Sequence, residues 1–336
     1  VKDTREQWNV LRHAPTSLER EVHALSSLYR WTDDGRLERC ADGLVVCLAD
    51  AIRHEEWQWL REVWDRAFSG TPTRPVGATL VWSDAALEAQ VEDYIETRRW
   101  STHRLLHRLM ARGAPIPATV RIEELDRVRG PILVLNPHLL PAAERARVLA
   151  YAGGPVLLIG PEEEPLPTPA AHFVAGEGLS RLACWVYGVE EPPAIPLAPE
   201  TLPAREEAVL HQREPRSFLE DLPFHDVSER FLEACAELIA RCSGSPRVLH
   251  GADRVRLLAM EEAPGRRRLL VGNDSHGYVT AHLDMGQPVA SVTVLGPFPP
   301  LPITPEGSCF SVRVPGRGAV LLAVTLATPD ADPPGL

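Results

Sequence analysis

The chain has 336 residues, of which 44% are hydrophobic and 24% are charged, and its formal net charge is −11. This length predicts two or three domains, each large enough to bury a core without disulfides or metals. The acidic balance would repel a phosphate backbone, which excludes nucleic acid as an expected partner. No apolar run reaches the roughly 20 residues that span a bilayer. We therefore expect no membrane partner and a cytoplasmic protein.

The N-terminal segment predicts a helix that begins at Thr16 or Ser17. Apolar residues recur there at helical spacing, at Leu18, Val22, Leu25 and Leu28. The segment GLVVCLAD from Gly43 is a short β-branched run that predicts a buried strand. The next segment predicts a helix with an apolar stripe that packs in a core, formed by Trp57, Leu60, Trp64 and Phe68.

From Gly77 to Gly160, apolar runs alternate with amphipathic segments. The runs GATLVWSD, PATVRIEEL, PILVLN and PVLLIG predict strands. The segments between them predict helices, the first of them capped by Ser83 or Asp84. Strand, helix and strand at this spacing indicate a parallel sheet with crossover helices.

Prolines become frequent from residue 161 to residue 203, interrupted by the predicted strands AHFVAG and LACWVYG. We place a boundary near residue 195. The segment VSERFLEACAELIARCSG then predicts a lone helix. Beyond Pro246, short apolar runs separated by turn signals predict an antiparallel β-sandwich, with hairpin turns at APGR and PGRG.

Polar residues follow the predicted strands at their carboxyl ends, where open parallel sheets bind their ligands. These residues are Asp50, Asp84, Asn136 and His138. A helix cap explains Asp84 equally well, and a turn before proline explains Asn136. We therefore take Asp84, Asn136 and His138 as candidates for ligand binding and assign no catalytic residue.

The usual motifs of covalent catalysis and nucleotide binding are missing. No GxSxG or GxCxG elbow occurs, and the place of an elbow after PILVLN holds Asn136, Pro137 and His138. No GxxxxGK[ST] or GxGxxG loop follows a predicted strand, so we expect no cofactor. The carboxylates of GPEEEPLP predict a solvated loop, because glycosidase chemistry needs two carboxyl groups about 5 to 9 Å apart across a cleft.

No metal site is expected either. His103 and His107 have the spacing of two zinc ligands, but Arg104 stands where an HExxH motif has its glutamate. The cysteines lack CxxC spacing and lie in apolar or helical surroundings, which predicts buried free thiols in a reducing compartment. The six cysteines are Cys40, Cys47, Cys184, Cys235, Cys242 and Cys309.

The stretch from about Ala78 to Gly160 resembles the flavodoxin-like middle domain of family 42 β-galactosidases and related glycoside hydrolases. It contains ATLVWSD and STHRLLHRLMARGAPIPATVRIEELDRVRGPILVLNPHLLPAAERARVLAYAGGPVLLIG. That domain is similar to a class I glutamine amidotransferase but lacks its nucleophile, in agreement with the missing elbow. The tail, LLVGNDSHGYVTAHLDM followed by RVPGRGAVLLAVTL, is similar to the β-sandwich that closes many such hydrolases.

The resemblance implies an upstream partner domain, because in that family a TIM barrel carries both catalytic glutamates and precedes this region. No catalytic residue of the family can be carried onto the present sequence. We expect the chain to be the carboxyl-terminal part of a larger protein, with Val1 near a boundary. The family's middle domain commonly mediates contacts between subunits, which implies a homo-oligomer.

The predicted fold class is therefore α/β plus all-β, with a flavodoxin-like parallel sheet and flanking helices followed by a C-terminal antiparallel β-sandwich. The predicted parts are an N-terminal helical segment (1–40), a flavodoxin-like domain (41–195), a linker with a bridging helix (196–245) and the sandwich (246–330).

Three functions stay open. The first is a non-catalytic accessory or oligomerisation region of a glycoside-hydrolase-like, carbohydrate-active protein. The second is a stand-alone small-molecule hydrolase that uses the strand-end crevice. The third is a carbohydrate-binding module on the sandwich, for which aromatic side chains would stack on sugar rings. The region after residue 245 offers Tyr278, Phe298 and Phe310 for that purpose.

Overall fold

The structure is a computed structural model that describes residues 10–43, 52–97, 99–162, 166–177, 180–191, 194, 227–250 and 254–327. The predicted strand GLVVCLAD lies outside these residues apart from Gly43, and Asp50 lies outside them as well. The boundary near residue 195 and most of the predicted linker also fall outside the described residues.

Helices form where the sequence places amphipathic segments. Those of the described residues are α1 (Val10–His13), α2 (Pro15–Ser26), α3 (His54–Ala67), α4 (Asp84–Thr97), α5 (Thr102–Ala111), α6 (Ala142–Leu149) and α7 (Glu229–Ser243). The predicted helices are thereby confirmed at these places. None of these helices is both long and apolar enough to cross a membrane.

Strands form at the short apolar runs. Those of the described residues are β1 (Tyr29–Trp31), β2 (Leu37–Arg39), β3 (Arg74–Val76), β4 (Thr79–Trp82), β5 (Ala118–Arg121), β6 (Ile132–Leu135), β7 (Val156–Pro161), β8 (Ala171–Glu177), β9 (Ser180–Tyr187), β10 (Arg247–His250), β11 (Val255–Ala263), β12 (Arg266–Asn273), β13 (Val279–Asp284), β14 (Val289–Val294), β15 (Cys309–Val314) and β16 (Ala319–Leu326). The predicted strand PATVRIEEL is wrong in its second half, where Ile122–Arg127 is a 3-10 helix. The spacing of three between the buried Ile122 and Leu125 suits that helix, because its side chains at i and i+3 eclipse.

The chain divides into two compact units. The first comprises Val1–Gly77, Pro115–Ala118 and Gly244–Leu336, and the second comprises Ala78–Ala114 and Thr119–Ser243. The first contains separate antiparallel sheets and the second a mixed sheet with helices. The combination of an α/β part with a β-rich part is thus confirmed. The N-terminal helices share a unit with the β-rich part, whereas the boundaries expected from the sequence stay predictions.

The first unit is built on two antiparallel sheets. Their strand orders are β10-β13-β15 and β14-β16-β12-β11-β3. In β15, Phe310, Val312 and Val314 are buried while Ser311 and Arg313 are exposed, as the alternation of side chains across a strand requires. The buried faces share one core. Strand β3 reaches this core from the N-terminal part of the chain, because it pairs with β11.

One of the two predicted hairpins is confirmed. The turn APGR joins β11 to β12, which pair antiparallel, and Gly265 has a φ of 72° there, which glycine adopts without a Cβ clash. The turn PGRG is wrong as a hairpin, because β15 and β16 lie in different sheets. A turn sequence specifies a local reversal of the chain. It does not specify which sheet the next strand joins.

Helices α2 and α3 pack together in the first unit, and α2 also contacts β12 and β16. Their shared core includes Val22 and Val63, both fully buried. The predicted stripe of α3 is confirmed for Leu60, Trp64 and Phe68, which pack against that core. It is wrong for Trp57, whose exposed fraction is 52%. The first residue of the stripe therefore does not belong to the core that Leu60, Trp64 and Phe68 cover.

The strands of the second unit follow one another in the order β5-β4-β6-β7-β9-β8 as part of a mixed eight-stranded sheet. Strands β4, β6 and β7 are parallel neighbours, and β9 and β8 continue the sheet antiparallel. Every residue of β6 and β7 is buried, as is typical of central strands covered on both faces. The predicted parallel sheet with helical connections is therefore confirmed, and the strands AHFVAG and LACWVYG extend it.

An ion-pair cluster joins α5 to α7 within the second unit. The carboxylate of Glu229 accepts hydrogen bonds from Arg112 and, at 2.7 Å, from Arg108. The hydrogen bond from Arg112 lowers the pKa of Glu229 below its ordinary value of 4.5. Because Glu229 is 48% exposed at its side chain, solvent screening limits the energy of this cluster to about 1 kcal/mol or less.

We expect the substitution Glu229→Gln to reduce the free energy of unfolding at pH 7 by up to about 1 kcal/mol. A carboxyl group with a lowered pKa in the folded state stabilises the fold above its unfolded pKa, and this contribution is lost as the pH falls through the folded pKa. The difference between wild type and variant should therefore shrink as the pH falls below 4.5. Urea denaturation over a pH series measures it, and an undiminished difference in acid would contradict the expectation.

Candidate functional site

The carboxyl ends of β4 and β6 meet where the strand order reverses in the second unit. Strand β5 follows β4 in the chain on one side, and β6 lies on the other side. The register aligns Thr79 with Ile132 and Leu80 with Leu133. Open sheets of this kind bind ligands in the crevice at such a reversal. The structure therefore brings the segments that hold Asp84, Asn136 and His138 to neighbouring strand ends.

Asn136 occupies the turn that directly follows β6. Its backbone is left-handed, with φ 54° and ψ 57°, a conformation that asparagine tolerates better than most residues. The side chain is buried, and its Oδ1 accepts a hydrogen bond of 3.0 Å from Trp100 Nε1. Its Nδ2 donates to Thr102 Oγ1 at 3.2 Å. Both ends of the amide are thereby engaged in contacts between β6 and the start of α5.

In the segment after β4, one polar side chain caps a helix and the next forms an exposed ion pair. Ser83 caps α4, because its Oγ accepts a hydrogen bond of 3.0 Å from the backbone N–H of Ala86. The same hydroxyl donates to Glu144 at 2.6 Å. Of the two predicted caps, Ser83 is therefore the one used. Asp84 is exposed and accepts hydrogen bonds of 3.1 Å from Trp82 Nε1 and from Arg121.

His138 lies beside a buried pair of opposite charges that sequence reasoning missed. Its side chain is 8% exposed, and its Nε2 lies 3.8 Å from Asp93 Oδ1. Asp93 also lies 3.6 Å from Arg99. Within the described part of the chain, neither ring nitrogen of His138 has a hydrogen-bond partner. Little in the sequence indicated this cluster, because the charged segment ETRRW, which contains Arg99, is typical of the solvated end of a helix.

These positions limit the chemistry that the crevice can perform. Of the three predicted ligand-binding residues, Asn136 is committed to internal hydrogen bonds and Asp84 to an exposed ion pair. His138 is the residue with unused polar atoms, yet no serine or cysteine follows β6 to act as a nucleophile beside it. Among the described residues at these strand ends, the hydroxyl group of Thr102 is engaged with Asn136 and that of Ser83 with Ala86 and Glu144.

The histidine motif borders this crevice, because the ring of His103 lies edge-on to the ring of Trp82 at the end of β4, 5.4 Å between centroids. His103 and His107 are exposed on α5, and the described residues contain no group of three or more His, Cys, Asp or Glu side chains placed to hold a metal ion. Of the carboxylates in GPEEEPLP, Glu162 pairs with Arg181 at 2.7 Å. The two that follow Glu162 lie outside the described residues.

Of the three aromatic residues considered for sugar stacking, Tyr278 and Phe298 are neighbours, with ring centroids 5.7 Å apart. Phe310 is buried in the core, and Phe298 packs against that core. Tyr278 is 58% exposed, but the guanidinium of Arg313 lies over its ring, 4.9 Å from the centroid. Among these three rings, Tyr278 is therefore the most exposed, and Arg313 and Phe298 contact it.

No family model matches the sequence, and no curated protein matches it. Among solved structures, a β-galactosidase from Bacillus circulans sp. alkalophilus is similar, with 14% identity and a TM-score of 0.41 over 80% of this chain and 44% of that chain. The α-L-fucosidase isoenzyme 2 from Paenibacillus thiaminolyticus has 12% identity and a TM-score of 0.46 over 94% of this chain and 58% of that chain. Gan42B, a GH42 β-galactosidase from G. stearothermophilus, has 11% identity and a TM-score of 0.40 over 81% and 45%.

The chain thus spans about half the length of the solved structures that it matches, namely 44%, 58% and 45% of the three. At these identities and TM-scores, the comparisons assign neither a family nor an activity to the chain.

Proposed function

We propose that this chain is the carboxyl-terminal, non-catalytic accessory region of a glycoside-hydrolase-like, carbohydrate-active protein of the cytoplasm, with a flavodoxin-like unit and a β-sandwich. The observation that carries the proposal is the turn after β6. At the position where a related hydrolase or amidotransferase would hold its nucleophile, the chain holds Asn136, and its amide is buried in hydrogen bonds to Trp100 and Thr102.

The strand order supports the flavodoxin-like part of the proposal. Numbered by their appearance in the chain, the strands β5, β4, β6 and β7 have the order 2-1-3-4, which is the order of flavodoxin-like sheets. The fifth strand of that pattern would be β9, which is antiparallel to β7 here. The sequence resemblance supplies the connection with glycoside hydrolases.

The accessory role that we propose is the assembly of several copies of the protein. Helix α4 exposes two apolar side chains one turn apart, Val91 with an exposed fraction of 58% and Ile95 with 50%. Burial of such side chains in a contact between copies would be favourable. Sedimentation velocity over a range of concentrations tests this role, and Ile95→Glu should shift the distribution towards monomer. A wild-type chain that stays monomeric at high concentration would overturn the oligomerisation part.

The absence of catalysis has its own test. We expect the purified chain to release no product from chromogenic glycosides or from small amides and esters, because the elbow position after β6 holds Asn136, Pro137 and His138 rather than a serine or cysteine. Turnover that is present in wild type and lost in His138→Ala would favour a stand-alone hydrolase instead and would overturn the accessory role. His103→Ala is the matched control, because His103 is an exposed histidine of the same unit.

A further inference from the structure

Helix α7 packs on the face of the β8–β9 hairpin that carries Cys184. The register aligns Cys184 of β9 with Phe173 of β8, and aligned residues of antiparallel strands have their side chains on the same face. The ring of Phe173 lies 5.4 Å from the ring of Phe231 on α7. Cys235 follows Phe231 by one helical turn and so lies on the same side of α7. The fold therefore places Cys184 and Cys235 on facing surfaces.

Both thiols lie in a dry interior. Cys184 and Cys235 are both 0% exposed, both are free, and Cys184 is close enough to raise the pKa of the Cys235 thiol. Cys242 lies two turns further along α7, is partly buried, and is also free. The predicted buried free thiols are thus confirmed at Cys184 and Cys235. The prediction is wrong at Cys40, which is exposed.

We propose that Cys184 and Cys235 form a reversible disulfide that ties α7 to β9 when the chain meets a small disulfide oxidant. One thiolate attacks the oxidant, which releases its first thiol and leaves a mixed disulfide on the protein. The second cysteine thiolate then attacks the protein sulfur of that mixed disulfide and expels the second thiol. Two cysteine thiols lose two protons and two electrons, and the oxidant is reduced to two thiols that take up both protons.

The surroundings of the pair make this reaction slow. Burial raises the pKa of the Cys235 thiol well above its usual value, and the neighbouring Cys184 raises it further. Burial likewise raises the pKa of Cys242 to about 11. Since the thiolate is the attacking species, oxidation requires a transient opening of the contact between α7 and the sheet, and its rate increases with pH. Exposed thiols such as Cys40 should react first.

The bridge would stabilise the second unit. It closes a loop of about 50 residues, and loops of this length gain several kilocalories per mole from the restriction of the unfolded chain. We expect the melting temperature of the oxidised protein to rise by about 5 °C or more.

The experiment uses the full chain in its folded state. The protein is incubated with oxidised glutathione at pH 8, free thiols are blocked, and a digest is analysed by mass spectrometry with and without reduction. The expected result is one peptide pair that joins Cys184 to Cys235 and that separates on reduction, together with a melting temperature that rises on oxidation and falls back on reduction. Because this result comes from the wild-type chain, it does not depend on the folding of any variant.

Two results would overturn the proposal. One is a digest in which Cys184 and Cys235 stay blocked as free thiols or carry only glutathione. The other is a bridge from Cys184 to Cys242 in their place. Cys235→Ala should abolish the rise in melting temperature, whereas Cys40→Ser, at an exposed cysteine, should keep it. A rise that persists in Cys235→Ala would also contradict the proposal.

Discussion

Replacement of Arg268 by alanine should lower the free energy of unfolding of the first unit by about 3 kcal/mol or more. Arg268 lies on β12, and its side chain is 8% exposed. Its guanidinium donates to the backbone oxygens of Arg66 and, at 2.7 Å, of Ser69. It also pairs with Glu262 at 3.2 Å. The side chain of Arg268 therefore donates hydrogen bonds to carbonyl groups at the end of α3 and also pairs with a mostly buried carboxylate.

The large effect has two physical causes. A helix end leaves carbonyl groups without partners within the helix, and a buried carbonyl group that loses its donor costs about 1 to 3 kcal/mol. Within the described part of the chain, Glu262, whose side chain is 15% exposed, would keep an ion pair with Arg266 at 3.5 Å. A charge left poorly paired in a buried site is strongly destabilising, although replacing both partners can be neutral.

Chemical denaturation followed by tryptophan fluorescence measures this effect. Arg266→Ala is the matched control, because Arg266 contacts the same carboxylate from the same strand but is 61% exposed, so its loss should change the stability by about 0.5 kcal/mol or less. Arg268→Lys should retain only part of the stability, since an ammonium group lacks the planar fork of the guanidinium. Equal losses of unfolding free energy in Arg268→Ala and Arg266→Ala would contradict the expectation that the buried contacts of Arg268 hold α3 to β12.

Replacement of Asn136 by alanine should destabilise the second unit by about 3 kcal/mol. The loss of Oδ1 leaves Trp100 Nε1–H without its 3.0 Å acceptor. Trp100 is 3% exposed, so water cannot replace the amide freely. Alanine would also have to adopt the positive φ of 54° at this position, which costs an L-residue with a Cβ roughly 1 to 2 kcal/mol.

Asn136→Gly separates these two contributions. Glycine adopts positive φ without strain but has no side-chain amide. The loss of stability in Asn136→Gly should therefore come mainly from the unpaired indole N–H of Trp100. We expect the glycine variant to be less stable than wild type and more stable than the alanine variant by about 1 kcal/mol. Thermal and urea unfolding report the stabilities. Stabilities within about 0.5 kcal/mol of wild type for both variants would show that the amide contributes little.

The same experiment bears on the crevice. If Asn136 bound a ligand and did not stabilise the fold, its substitution would change ligand binding with little effect on the free energy of unfolding. The hydrogen bonds to Trp100 and Thr102 favour the opposite result.

Much of the local structure followed from the sequence. The periodicity of apolar residues predicted α2, α7 and the central strands β6 and β7, because residues that share a buried face recur at the repeat of their element. The glycine of APGR predicted the hairpin between β11 and β12. The order of strands and helices predicted the parallel part of the sheet, since parallel neighbours require crossover connections.

Part of the candidate site also followed from the sequence. Strand ends can be located from apolar runs, so the segments of Asp84, Asn136 and His138 were correctly placed at neighbouring strand ends. The partners of these residues could not be located in the same way. Trp100 precedes α5 and Asp93 lies within α4, and their distances from β6 depend on how both helices pack on the sheet.

The sequence alone therefore determined the elements, the alternation that forms the parallel sheet, and the lack of a nucleophile after β6. Only the tertiary structure decided which long-range partners those elements meet. It buried Arg267 and Arg268 but left Arg266 accessible, it added β3 to the five-stranded antiparallel sheet, and it placed the buried Cys184 and Cys235 on facing surfaces. The physical reason is that periodicity reports which face of an element is buried, whereas a contact between distant segments depends on the packing of whole elements, which no local pattern encodes.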